Sequence, residues 1–336
     1  MLRYILLTIG LIVLGLLVWN IGPGNIYEAA SRLGPTALLT VLIPSVLMYS
    51  VEAYGWKVVL GQVAQRVPFW RLLTIRTAGE VVNVTTPTAF VGGEPLKVYL
   101  LHKNHQVPIV EGGASVVIAK TTMTIAEVVY ILMGVALGFW IVGAGSSAGQ
   151  TITAALMSVG LLVCSIVGFV FIQHRGLFAS ILSLVNKVGL RIRALEAQEE
   201  HLRSIDRTIL NFYSHHRMAF LASVGVYFFG WLAESLEVFG IIYLLGGSVS
   251  FLTAISIGAI AVFIKGGSFF IPGSLGAQDA GNMLLLQTFG YSDVTGITFA
   301  LLRRFREVVW IGIGLICLAL VGKRGQGEDH RFESPS

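Results

Sequence analysis

The 336-residue chain is 55% hydrophobic and only 12% charged, and its mean hydropathy is +0.79. A soluble domain carries about twice that share of charge, so the composition excludes a soluble globular protein. The net charge of +5 is consistent with contact with an acidic partner or surface. The two cysteines, Cys164 and Cys317, lie far apart in apolar segments, which excludes both a disulfide framework and a Cys-x-x-Cys metal site.

Apolar segments of about 18 residues or more can cross a bilayer of about 30 Å as helices. Two further apolar regions are interrupted by Pro and Gly, and the first span lacks a cleavage site and is read as retained. The sequence therefore predicts an all-α polytopic membrane protein with about six full transmembrane helices plus two re-entrant hairpins. The predicted spans are 4–21, 36–57, 113–141, 151–173, 218–245 and 294–321, and the interrupted regions are 72–103 and 250–292.

Lys and Arg are concentrated in two stretches of the chain. There are six in 57–103 and seven in 174–217, against none in 142–150. The positive-inside rule therefore places both basic stretches and both termini in the cytoplasm. This basic excess suits contact with anionic lipid and predicts no nucleic-acid partner. Segment 174–217 is predicted to be an exposed or interfacial helix, with partner docking as the alternative, and 322–336 a disordered tail.

The two interrupted regions form the centre of an inverted repeat within one integral-membrane domain, 1–321. Their breakers are 83–95 and 265–281, and each region begins and ends on the same side of the membrane. Lys120 follows Pro87 by 33 residues and Arg304 follows Pro272 by 32, so similar units are predicted at about 57–141 and 246–321. In transporters built this way the binding site lies at the repeat interface near the midplane.

Charged residues within apolar spans are the candidates for a binding site. Each Arg at a helix centre costs about 2.5–3.5 kcal/mol in lipid, so Arg303 and Arg304 must face protein, water or an anionic ligand. Glu307 lies four residues after Arg303 and three after Arg304, so it can pair with either on a helix. One carboxylate cannot neutralise these two arginines and Arg306, which predicts excess positive charge. The alternative is that these charges pair and fix the fold. The predicted substrate-binding residues are Asn83, Thr86, Pro87, Gly93, Glu94, Lys97, Lys120, Glu127, Glu234, Glu237, Lys265, Pro272, Gly273, Gly276, Asp279, Arg303, Arg304 and Glu307.

Four motifs resemble those of a known family. They are GEVVNVTTPTAFVGGEPLKVYLL (79–101), GWLAESLEVFGIIYLLGG (230–247), FFIPGSLGAQDAG (269–281) and ALLRRFREVVW (300–310). Together they resemble the transmembrane region of lysylphosphatidylglycerol synthases and the stand-alone UPF0104 flippase-like proteins, including a subgroup associated with hopanoid biosynthesis. The resemblance implies a multi-pass protein of the bacterial inner membrane. The aminoacyl-transferase domain of the full-length synthases has no counterpart in the sequence, so we expect no enzymatic activity.

The function expected from the residues and the resemblance is flippase-like transport or binding of an amphipathic lipid with a polar or anionic headgroup. The expected ligand is an anionic phospholipid or an isoprenoid or hopanoid lipid, with no cofactor and no metal. In this hypothesis the arginines and Lys120 bind the headgroup, while Glu127, Glu234 and Glu307 balance charge or couple transport to protons. The alternatives are a scaffold or subunit of a lipid-biosynthesis complex and an intramembrane enzyme that uses Glu234 and Glu237. The partners considered are lipid-biosynthesis enzymes and a second copy of the chain.

Overall fold

A computed structural model describes residues 22–86, 92–142, 199–267 and 277–324, with isolated positions in 8–19 and 160–177. Every regular element in these ranges is a helix, which confirms the all-α prediction. Most of the span at 4–21 and the first part of the span at 151–173 lie outside the described residues, whereas residues 167–173 are described and helical. Pro87, Pro272, Gly273 and Gly276 also lie outside the described residues. The last helix continues to Arg324, beyond the predicted start of the tail at 322, and the rest of the tail lies outside the described residues.

Nine helices follow one another through the described ranges, with a short 3-10 helix at Gly61–Arg66. Within these ranges, three segments are both long enough and apolar enough to cross a membrane: Thr36–Arg66, Ile109–Val142 and Arg217–Leu244. The helices are α1 (Pro23–Leu60), α2 (Phe69–Thr85), α3 (Gly93–His105), α4 (Ile109–Val142), α5 (Glu199–His215), α6 (Arg217–Leu244), α7 (Phe251–Gly267), α8 (Ala277–Thr288) and α9 (Asp293–Arg324).

Proline and glycine set the helix boundaries. Helix α1 kinks at Gly34, whose φ of 67° is left-handed and which precedes Pro35, so its apolar span begins at Thr36. Helix α2 ends at Thr85, and Thr86 is extended, with φ −114° and ψ 144°. Because Thr86 precedes a proline, the helical conformation is disfavoured there. The break expected from the sequence is therefore present at the end of α2.

The four described helices of the interrupted regions are too short to cross a bilayer alone. Helices α2 and α7 have 17 residues each, α3 has 13 and α8 has 12. At 1.5 Å per residue they extend about 18–26 Å, against a hydrocarbon core of about 30 Å. Helix α2 packs on α3, and α7 packs on α8. The described parts of both interrupted regions are thus pairs of short packed helices, as the hairpin prediction requires.

The helices pack in a reciprocal order. Helix α4, which follows the first hairpin, packs on α7 of the second, and α9, which follows the second hairpin, packs on α2 of the first. Helices α1 and α6, which precede the hairpins, pack extensively on each other. A pseudo-twofold relation that exchanges α1–α4 with α6–α9 reproduces these pairs. This is the arrangement expected of an inverted repeat, whose exact boundaries stay a prediction.

Small residues let the two halves approach closely. A Cβ added to Gly134 on α4 would lie 2.1 Å from the Cβ of Ala259 on α7. A Cβ added to Gly314 on α9 would lie 2.7 Å from the Cβ of Val81 on α2. Membrane helices gain most of their association energy from such close packing, because lipid tails are as apolar as the side chains. Each inter-repeat crossing therefore depends on a glycine.

Helix α5 belongs to the segment predicted to be an exposed or interfacial helix. It buries Ile205 and Ile209 against the core formed by α1–α4 and the end of α9, while Arg203 and Glu199 pair on its exposed side. A Cβ on Gly113 of α4 would lie 3.2 Å from Ile205. The described part of the segment is therefore amphipathic and docks on the start of α4.

Candidate functional site

Buried charges lie in two groups, one in each half of the protein. The first charge cluster comprises Glu52, Arg76, Glu80, Asn83, Glu94 and Lys97, from α1, α2 and α3. The second charge cluster comprises Glu234, Glu237, Lys265, Asp279, Arg303, Arg304, Arg306 and Glu307, from α6, α7, α8 and α9. Both lie where the hairpin helices meet the long helices.

An ion pair between α1 and α2 forms one side of the first charge cluster. The Arg76 guanidinium donates a hydrogen bond to the Glu52 carboxylate, and both side chains are buried. The guanidinium carbon also lies 4.4 Å from the centre of the Tyr49 ring, a cation–π distance. None of these three residues was among the predicted site residues. The available signal was a single charge within an otherwise apolar segment.

Asn83 joins the end of α2 to the start of α3. Its amide nitrogen donates to Glu80 at 3.3 Å and to Glu94 at 3.2 Å. Its carbonyl oxygen accepts the backbone N–H of Gly93 at 2.7 Å. Lys97 in turn donates to both oxygens of Glu94 at 3.0 Å. The sequence placed Asn83, Gly93, Glu94 and Lys97 in one site, and the structure brings them together.

The close approach of α2 and α3 requires glycine. A Cβ added to Gly93 would lie 1.9 Å from the carbonyl oxygen of Gly79, closer than any real side chain comes. A Cβ added to Gly79 would lie 2.5 Å from the Lys97 side chain. A larger residue at 93 pushes the two helices apart, whereas a larger residue at 79 displaces the Lys97 side chain. Glycine at 79 and 93 therefore positions Lys97 against α2.

A small cavity of about 30 Å³ opens beside the first charge cluster. Its wall contains three carboxylates and three cations, together with apolar groups from α1, α4 and α6. Lys120 on α4 contributes one of the cations, and within the part of the chain that the structure describes it forms neither a hydrogen bond nor an ion pair. The lining residues are Glu52, Trp56, Arg76, Glu80, Glu94, Lys97, Val116, Ala119, Lys120, Met123 and Tyr227.

The second charge cluster is a network of ion pairs centred on α9. Arg303 donates to Glu234 and Arg306 donates to Glu237, and both carboxylates lie on α6. Arg304 makes a two-point contact with Asp279 of α8, at 2.8 and 3.0 Å. Such paired Arg–carboxylate hydrogen bonds combine charge with fixed geometry. The network therefore ties three helices together.

Glu307 completes the second charge cluster. It accepts a hydrogen bond from Arg304 at 2.7 Å, three residues earlier on α9, and one from Lys265 of α7 at 3.2 Å. The cluster thus contains four cations and four carboxylates. The expected excess of positive charge is wrong for this group, because Glu234, Glu237 and Asp279 reach the arginines from other helices. Helical spacing along α9 alone cannot reveal those partners.

Glu127 on α4 lies between the two clusters. The charged groups close enough to interact electrostatically with its carboxylate are Lys120 of its own helix, Glu234 of α6 and Lys265 of α7. Thr86, also predicted for the site, directly follows the end of α2 next to the first charge cluster. In the described ranges, no three His, Cys, Asp or Glu side chains are placed to hold a metal ion. The arrangement offers a charged cavity, two ion-pair networks and one carboxylate between them.

The family model described as the lysylphosphatidylglycerol synthase TM region matches residues 4–315, a range that contains both charge clusters and the cavity. The chain is also 24% identical over 311 residues to a UPF0104 membrane protein of Methanothermobacter thermautotrophicus. That alignment covers 87% of this chain and 86% of the relative.

Proposed function

We propose, on the premise that this chain belongs to the lysylphosphatidylglycerol synthase transmembrane-region family, that it binds an amphipathic membrane lipid and moves the lipid's headgroup across the bilayer. The headgroup, polar or anionic, occupies the cavity beside the first charge cluster, and the acyl or isoprenoid tail stays in the bilayer. The observation that carries the proposal is Lys120, a cation in the cavity wall that forms no hydrogen bond and no ion pair among the described residues.

The cost of charge inside a membrane span supports a ligand at Lys120. A partly buried lysine without a hydrogen-bonded counter-ion is costly there, and such residues mark substrate or ion pathways. A phosphate group next to Lys120 offsets that cost by replacing the water that the ammonium has lost. The cavity measures about 30 Å³, room for about two water molecules, so its lining side chains must move apart to admit a headgroup.

The other cavity charges set the preference for ligands. Arg76 and Lys97 already have carboxylate partners, so they contribute polarity and hydrogen bonds more than net charge. Arg303 and Arg304, expected from the sequence to bind the headgroup, are paired in the second charge cluster. We assign them to holding α6, α8 and α9 together, and we place the headgroup contact at Lys120.

Lipid analysis of the purified protein tests the proposal. The wild type, Lys120→Ala and Lys103→Ala are purified in mild detergent, and the lipids that copurify are identified by mass spectrometry. Lys103 is an exposed lysine of α3 and serves as the matched control. We expect one lipid class to be enriched with the wild type and the control and to be lost with Lys120→Ala. That class would identify the ligand.

Transport is tested separately in proteoliposomes that contain the identified lipid in fluorescent form. We expect the wild type and Lys103→Ala to move the headgroup between leaflets and Lys120→Ala to move it slowly. Lipid enrichment that is indifferent to Lys120→Ala, with no movement in vesicles, would contradict the proposal and favour the scaffold hypothesis.

A further inference from the structure

Glu127 differs from the carboxylates of the two charge clusters. In the described part of the chain it makes no hydrogen bond and no ion pair. Every carboxylate of the two charge clusters accepts at least one hydrogen bond: Glu52 from Arg76, Glu80 and Glu94 from Asn83, Glu234 from Arg303, Glu237 from Arg306, and Asp279 and Glu307 from Arg304.

The position of Glu127 connects it to the cavity. Lys120 and Met123 line the cavity wall, and Glu127 follows them on α4 at spacings of seven and four residues. Residues at these spacings share one face of a helix. At 1.5 Å per residue, Glu127 lies about 10 Å beyond Lys120 along the helix axis. It is partly buried and lies towards the second charge cluster.

The surroundings of Glu127 contain few groups that can hold its charge. From α7, Lys265 acts on it but donates to Glu307, and from α6, Glu234 acts on it as a like charge that is bound by Arg303. Tyr130, one turn further along α4, contacts Ser235 instead. Lys120 also attracts Glu80 across the cavity, but among the described residues it forms no hydrogen bond and no ion pair with a carboxylate. It is therefore the cation near Glu127 that is not held in an ion pair.

The charged groups on the other helices that pack on α4 lie at different heights along α4 from Glu127. Glu52 on α1, with Glu94 and Lys97 on α3, lines the cavity at the level of Lys120. Helix α5 packs near Gly113, about 21 Å along the helix from Glu127, and carries the buried Asp206 there. None of these groups is among those that act on Glu127.

An isolated carboxylate removed from water favours its neutral, protonated form. The positive charge of Lys120 opposes this by attracting the ionised form. An anion bound at Lys120 cancels that attraction, so binding of the anion favours proton uptake by Glu127. By thermodynamic linkage, protonation of Glu127 must then tighten anion binding by the same factor.

We propose that Glu127 is a proton-binding site and that its proton is coupled, through Lys120, to the anionic group in the cavity. The coupling rests on the proposed function, whereas the proton site does not. One proton passes from water in the cavity to a Glu127 carboxylate oxygen as the anion enters, and it returns when the anion leaves. No covalent bond of the ligand changes.

Infrared difference spectroscopy tests the proton site without any ligand. The full-length protein is titrated from acidic to alkaline pH, and the C=O stretching band of protonated carboxyl groups is followed. We expect a band that persists at neutral pH in the wild type and in Glu199→Gln, which alters an exposed carboxylate, and that is absent from Glu127→Gln. A band at neutral pH that survives in Glu127→Gln, or no such band in the wild type, would overturn the proton site.

Substitution of the neighbouring cation tests the electrostatic link. In Lys120→Met the ionised form of Glu127 loses its attraction, so the band should persist to higher pH than in the wild type. In Lys103→Met it should be unchanged, because this lysine lies on the exposed surface of α3. An unchanged titration in Lys120→Met would overturn the link between the two residues.

Ligand binding tests the coupling. The probe is a short-chain phosphatidylglycerol, titrated into the detergent-solubilised protein at acidic and at alkaline pH. We expect the wild type to bind the probe at least about fivefold more tightly at acidic than at alkaline pH. Glu127→Gln should bind it with little pH dependence. Equal affinities in the wild type would overturn the coupling. Absence of binding at both pH values would contradict the proposed function, while the infrared result would still decide the proton site.

Discussion

Individual residues show how this protein keeps charge inside a membrane. Arg306 and Glu237 are buried in the second charge cluster, where the Glu237 side chain is fully inaccessible. Removing one partner of such a pair leaves the other as a buried, uncompensated charge, whereas removing both leaves none. The pair therefore matters to stability mainly through the cost of separating its members.

A double-mutant cycle tests this at the residue scale. We expect Arg306→Met and Glu237→Met each to lower the free energy of unfolding by about 3–5 kcal/mol. The double variant should lose less than the sum of the two. The measurement is denaturant-induced unfolding in mixed micelles.

The control for this cycle is the exposed pair of α5. A guanidinium nitrogen of Arg203 lies 2.7 Å from a carboxylate oxygen of Glu199, and the two side chains are 58% and 45% exposed. Arg203→Ala should therefore lower the free energy of unfolding by less than about 1 kcal/mol. Additive losses at Arg306 and Glu237 would show that the two side chains do not stabilise each other.

The site residues were predictable to different degrees. Glu94 and Lys97 stand in one short motif, so their proximity followed from the sequence, and the structure confirms it. Glu52 and Arg76 were missed, because they are 24 residues apart on separate helices and neither stands in a charged motif. A single charge in an apolar span indicates that a partner exists but not where it lies.

The helices have signals at their ends that can be identified in the sequence. Ser250 accepts the backbone N–H of Thr253 at 3.1 Å before α7, and Ser292 accepts that of Thr295 at 3.3 Å before α9. A serine that accepts the N–H of the third residue after it is a common helix start. These signals depend on neighbouring residues, which is why the helix positions followed from the sequence. Which helices would pack together did not.

A designed disulfide tests helix packing at the element scale. The Cβ of Val51 on α1 lies 3.7 Å from a Cβ built on Gly230 of α6, close to the mean of about 3.8 Å in disulfides. With Cys164 and Cys317 replaced by serine, we expect Val51→Cys/Gly230→Cys to cross-link on oxidation. The linked peptides are detected by mass spectrometry.

The matched control for this cross-link is Val51→Cys/Gly225→Cys. A Cβ on Gly225 has no neighbour within 4 Å, so this pair should stay reduced. If both pairs cross-link equally, or if neither does, the packing of α1 on α6 described here is wrong.

At the scale of the whole molecule, the two halves are oriented oppositely. On α1, Thr40 faces Gly240 of α6 and Val51 faces Gly230, so residue numbers rise along one helix as they fall along the other. Helices α1 and α6 are therefore antiparallel. The antiparallel pair agrees with the inverted relation between the units that they precede, whose orientation in the membrane is a prediction from the distribution of Lys and Arg.

Cysteine labelling tests that orientation. Lys103 lies at the end of α3 and Ser248 follows α6, and both are exposed. In a variant without native cysteines, we expect a membrane-impermeant maleimide to label Lys103→Cys only from the cytoplasmic side and Ser248→Cys only from the outside. The readout is the mass shift in intact cells against inverted vesicles. Labelling of both positions from one side would contradict the predicted topology.

The sequence alone determined the class of protein, the broken spans and most members of the two charge clusters. These depend on local properties: apolar length against bilayer thickness, proline against helix geometry, and charge against lipid. Only the tertiary structure decided the partners of those charges. Arg303 meets Glu234 across 69 residues because α6 and α9 come together, and Glu127 is left unpaired among the described residues. Pairing over such separations depends on helix packing, which no local pattern encodes.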